Sequence, residues 1–81
     1  MSNFATSSGL DQPSLYQIRV QGILDPSWST RLEGLNIEVE PCTSGLPVTL
    51  LTGWLEDQAA LNGVLTTLYG LGFTLRSVTT L

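Results

Sequence analysis

The chain has 81 residues, 42% of them hydrophobic and only 12% charged, with a formal net charge of −4. That length specifies one domain with a core near the smallest that sustains a fold, and the charged share is about half that of an ordinary soluble domain. Arg19, Arg31 and Arg76 are its basic side chains, too few and too scattered for a phosphate backbone or an anionic membrane surface, which excludes nucleic acid and lipid headgroups as expected partners.

Apolar runs fall well short of the roughly 20 residues that a membrane span needs. The first residues lack the basic-then-apolar pattern of a secretory leader, and a lone cysteine, Cys42, has no mate for an internal disulfide. Cytoplasmic residence is therefore expected. So little charge on so small a domain also makes oligomerisation a natural source of further burial.

In chain order, residues 1–14 are rich in Ser, Thr, Asn and Gly without periodicity. They are expected as a poorly ordered tail, with Phe4 and Leu10 as its apolar members, ahead of a single domain over 15–81. Residues 16–21 then alternate, with Tyr16, Ile18 and Val20 on one face and Gln17, Arg19 and Gln21 on the other, the period of a half-buried strand.

Asp25 followed by Pro26 marks a helix start, with Asp as N-cap and Pro in the first helical position. Trp28 and Leu32 stand four apart on one face of this short helix, and Gly34 is placed to end it in a left-handed conformation. Residues 35–40 alternate again, Leu35, Ile37 and Val39 inward against Asn36, Glu38 and Glu40 outward. The two glutamates and Pro41 suit an edge strand.

Residues 41–47 form a loop by composition, and the more continuously apolar residues 48–53 form a third, interior strand. A second helix starts at Asp57, its N-cap or first-turn acid, and a fourth strand runs over about 73–80. This β-α-β-β-α-β order is the ferredoxin-like pattern of the α+β class: a four-stranded antiparallel sheet of order 4-1-3-2 with two helices on one face.

Leu61, Val64, Leu65 and Leu68 make the core stripe of the second helix, with Leu71 nearby. Half a turn away lie Ala59, Gly63, Thr66 and Gly70, where a solvated face normally carries charge. Each glycine costs about 1 kcal/mol of helix propensity. The stripe is either a contact for another element, and so a candidate interface, or a weak surface helix.

Chemistry is scarce. Without histidine or lysine the chain has no imidazole acid–base pair, no Cys–His nucleophile, no Schiff-base amine and no His-based metal site. Cys42 has no basic neighbour in sequence to activate it. The Glu56–Asp57 pair belongs to a helix start and the Glu38/Glu40 pair to a strand, and Gly70-Leu71-Gly72 follows a helix where a phosphate loop would open one. Arg19 and Arg76 fall on adjacent strands of the open sheet face. They could clamp a carboxylate or phosphate, pair with Glu38 or Glu40 of a second copy, or remain solvated.

Two stretches carry a resemblance: Asp57-Gln58-Ala59-Ala60-Leu61-Asn62-Gly63-Val64-Leu65, and Leu71-Gly72-Phe73-Thr74-Leu75-Arg76-Ser77-Val78. With Asp25-Pro26 and Trp28, they make the chain resemble small, functionally uncharacterised bacterial proteins over nearly everything after residue 15. That resemblance implies no activity and no site residues. At the level of fold, the chain is also similar to ACT-type regulatory domains. These bind amino acids and other small ligands near the first strand-to-helix turn, here residues 22–26, although Ser27 stands where they usually have glycine. The expected protein is a non-enzymatic, self-associating structural or protein-interaction module, a dimer or higher oligomer, with no cofactor and no metal. The alternative is an ACT-like sensor of an amino acid or small carboxylate.

Overall fold

The computed structural model describes residues 13–40 and 45–81. Cys42, Pro41 and all but the last two residues of the 1–14 tail lie outside them, together with what was expected of each. The described elements are β1 (Ser14–Gln21), a 3-10 helix (Pro26–Arg31), β2 (Asn36–Glu40), β3 (Val48–Leu55), α1 (Gln58–Gly70) and β4 (Thr74–Thr80). The strands pair antiparallel in the order β2-β3-β1-β4, the order expected from the sequence, within an α+β fold.

Alternation decides which side of the sheet becomes the core. Tyr16, Ile18 and Val20 of β1 are buried, as are Thr49, Leu51 and Leu55 of β3 and Ile37 of β2. Leu61, Val64 and Leu68 of α1 close over them, while Leu65 is only partly buried and Leu71 is exposed. Asp57 caps α1 by accepting the Ala60 amide at 2.8 Å. Gln58 Nε2 donates to the Tyr16 hydroxyl at 3.0 Å, so the tyrosine keeps a polar partner at the helix start.

The first helix departs from expectation. Its N-cap and Pro26 are as read, with Asp25 accepting the Ser27 amide at 2.9 Å, but only six residues of 3-10 helix follow. Ser27, Ser29 and Thr30 favour side-chain bonds to nearby backbone over helix propagation. Ser29 Oγ donates to the Leu35 carbonyl at 2.6 Å, and its own carbonyl accepts from Leu32 and Gly34, which draws the chain back into β2 within one turn. Gly34 is left-handed as expected (φ 75°), and so is Glu33 (φ 59°). Leu32 is fully buried, Trp28 packs partly on the core, and Arg31 lies 5.2 Å over the Trp28 ring. So short a cover leaves Val39, on the core-facing side of β2, exposed.

β3 runs on to Leu55, two residues past the expected end, where Trp54 and Leu55 pair with Leu15 and Ser14 of β1, and Gly53 lets Leu35 lie close against it. A Cβ at Gly53 would sit 2.8 Å from Leu35 Cδ2 and 3.5 Å from Leu35 Cα. Gly53→Ala is expected to cost about 1–3 kcal/mol through overpacking, read as a lowered midpoint in urea unfolding. An unchanged midpoint would mean that Leu35 swings aside freely.

Candidate functional site

Among the described residues, none covers one margin of the sheet. β4 is an edge strand, and six of its seven residues are exposed. Its register on β1 slips between Arg19 and Val20, so that Leu75 lies opposite Val20 and Val78 opposite Ile18. Directly opposed residues share a face. Leu75 and Val78 therefore both belong to the core side, although three positions apart, and Arg76 is the extra residue of the bulge. α1 touches β4 but does not roof it: Leu75 is 48% and Val78 37% exposed.

The turn that ends α1 builds the floor of this margin. The Phe73 amide donates to the Leu68 carbonyl at 3.1 Å and that of Gly72 to Tyr69 at 3.0 Å, with Gly72 at φ 92°. This is the Schellman arrangement, which brings the residue after the left-handed glycine against the last core residue of the helix. Phe73 and Leu68 accordingly meet beside Val20 and Leu75. With Leu65, Thr66 and Tyr69 they line a half-open, almost wholly apolar groove of about 270 Å³. Tyr69 stands at its rim, 83% exposed.

Among the described residues, none pairs with the outward edge of β4. The Leu81 amide donates to the Leu15 carbonyl at 2.8 Å. Strand alternation then turns the N–H and C=O of Thr80 and Val78 away from β1. The two sheet edges differ in charge: β2 carries Glu38 and Glu40 in five residues, whereas β4 carries Arg76 alone in seven.

The residues singled out in the sequence do not gather at one site. Ala59, Gly63, Thr66 and Gly70 are exposed along the outer side of α1, and a Cβ at Gly63 or Gly70 would meet nothing within 4 Å. Of these four, Thr66 reaches the groove. Arg19 crosses β3 to pair with Glu40 of its own chain (3.2 Å) and also donates to Gln17 at 3.1 Å. Arg76 donates to Gln21 at 2.9 Å. The two guanidiniums thus have separate partners within the chain. An exposed ion pair of this kind contributes at most about 1 kcal/mol.

Sequence reasoning missed the groove and a second apolar row. On the open sheet face, Trp54, Leu15 and Leu81 stand in register across β3, β1 and the end of β4, with Trp54 65% exposed. The signal for the groove was present in Gly72-Phe73, a helix stop followed by a large apolar residue. The bulge that puts Leu75 and Val78 on one face breaks the two-residue period, and no turn residue announces it.

Among the described residues, no helix is long and apolar enough to cross a membrane, and no group of three or more metal-ligating side chains gathers. A family described as a domain of unknown function, DUF8691, matches residues 15–79. No curated protein and no solved structure matches the chain.

Proposed function

We propose that this chain, which belongs to the DUF8691 family, is a non-enzymatic module that works by associating with itself. The observation that carries this reading is the unfinished β4 margin, where core-side Leu75 and Val78, a groove and the Tyr69 ring are left to solvent. A domain this small gains stability by covering such a surface. The fold is read as a ferredoxin-like pattern with its first helix reduced to a 3-10 turn, on the strength of the β2-β3-β1-β4 order. Asp57 is committed to a helix cap and Glu40 to Arg19, and the chain has no histidine or lysine, which supports a binding role over a chemical one. Cytoplasmic placement is part of the proposal and rests on the lone Cys42.

The expected result in light scattering at micromolar concentration is a mass at least twice the 8.7 kDa of one chain. A single-chain mass would overturn the proposal.

A sensor of an amino acid or small carboxylate is the second reading. It is favoured by the position of the groove, since the Phe73 ring that lines it also lies against the Gly22 turn, where a Cβ would meet it at 3.0 Å. A thermal shift with an amino acid would support it by linkage. No shift across a panel of amino acids and small carboxylates would remove it.

A further inference from the structure

We infer that the occupant of the β4 margin is a second copy of the chain, whose own β4 pairs antiparallel with it about a two-fold axis. The two sheets thereby become one sheet of eight strands. This inference rests on the self-association reading and names its surface. Four observations carry it.

The first is the outward main chain. Val78 and Thr80 present N–H and C=O groups that point away from β1, and an edge of this kind is a template for another strand. An antiparallel copy offers the same groups in reverse, so every donor that β4 presents meets an acceptor of the same kind of strand. Such a contact uses one patch twice and closes on itself.

The second is charge. β2 carries Glu38 and Glu40, and a copy of β2 would bring the same two carboxylates to the contact. Two β2 edges brought together about a two-fold axis would set these acids against their own copies, a like-charge opposition that disfavours that contact. β4 bears no acid, and its one cation, Arg76, is drawn toward Gln21 of its own chain.

The third is area. The exposed parts of Tyr69, Leu75 and Val78 amount to about 300 Å², taking roughly 150–250 Å² for a whole aromatic side chain and less for an aliphatic one. They stand beside an edge whose regular stretch, Ser77 to Thr80, is about 13 Å long. The apolar part alone is more than a third of the ~800 Å² that each partner contributes to a standard interface.

The fourth is continuity with the core. Leu75 and Val78 already lie on the core side, opposite Val20 and Ile18. Strand pairing would extend that layer across the two-fold axis, with a Tyr69 ring from each copy along its border. The bulge at Arg76 confines regular pairing to the stretch from Ser77 onward, where the outward groups of Val78 and Thr80 lie.

Solution mass decides the matter across four variants. Val78→Pro removes an outward amide and no bond to β1, so it is expected to halve the mass while the far-ultraviolet circular dichroism of the folded chain is kept; Thr80→Pro does the same from the neighbouring outward position. Gly63→Glu on the small-residue stripe and Trp54→Gln on the open face are expected to leave the mass of the dimer unchanged. A dimer that survives both prolines, or that is lost with Gly63→Glu or Trp54→Gln, overturns β4 pairing but leaves self-association standing. A monomeric unmodified chain overturns both.

Discussion

Leu32→Ala is expected to destabilise the fold by about 2–5 kcal/mol, the cost of removing a buried leucine and leaving a cavity. Leu32 is fully buried at the end of the 3-10 helix and belongs to the main core cluster, although the six residues before it contribute no buried side chain of their own. A domain of this length has a total stability of roughly 4–12 kcal/mol, so the variant should lie near the limit of folding. Each lost kcal/mol lowers the melting temperature by about 4–8 °C. Thermal unfolding at fixed protein concentration reads the effect. A loss below about 1 kcal/mol would show that the 3-10 segment lies on the sheet without being packed into it.

The second large effect is expected at Thr49, the buried polar side chain of the core. Its hydroxyl donates to the Gly22 carbonyl at 2.6 Å and accepts from the Leu24 amide at 3.1 Å, tying the chain leaving β1 to the interior strand β3. Thr49→Val keeps the shape and strands both backbone groups. At about 1–3 kcal/mol for the buried Leu24 amide and less for the part-buried Gly22 carbonyl, the expected loss is roughly 2–4 kcal/mol in urea unfolding. Thr49→Ser restores the hydroxyl and should recover most of the loss. If serine fares no better than valine, packing of the methyl group decides the site and the hydrogen bonds do not.

These two residues also show where sequence was informative. The alternation of β1, the Asp25-Pro26 cap, the Asp57 cap and the leucine stripe of α1 are local signals, each stating a period or a terminus, and together they specify strand order through right-handed connections. The length of the first helix was not legible in the same way. Ser29 bonds to Leu35 six residues away, a choice that depends on where β2 begins. Thr49 gave no sign of its role, because its two partners lie more than twenty residues earlier in the chain.

The candidate site divides along the same line. The small-residue stripe could be read from helical spacing and lies on the outer side of α1, as its period requires. The β4 margin could not, since strict alternation would put Leu75 and Val78 on opposite faces. The slip at Arg19/Val20 puts them together, and a bulge of this kind arises from tertiary fit between β1 and β4. The open-face row of Trp54, Leu15 and Leu81 likewise becomes visible only with the register of three strands.

The most direct test of β4 pairing is amide hydrogen exchange at Val78 and Thr80 in the unmodified chain, which needs no variant to fold. Both amides face away from β1, so a lone chain leaves them to water, whereas a copy of β4 would hold them in hydrogen bonds. The account predicts protection at both positions that rises with protein concentration, in step with the solution mass. Fast exchange at Val78 and Thr80 at a concentration where the mass is already that of a dimer would contradict it.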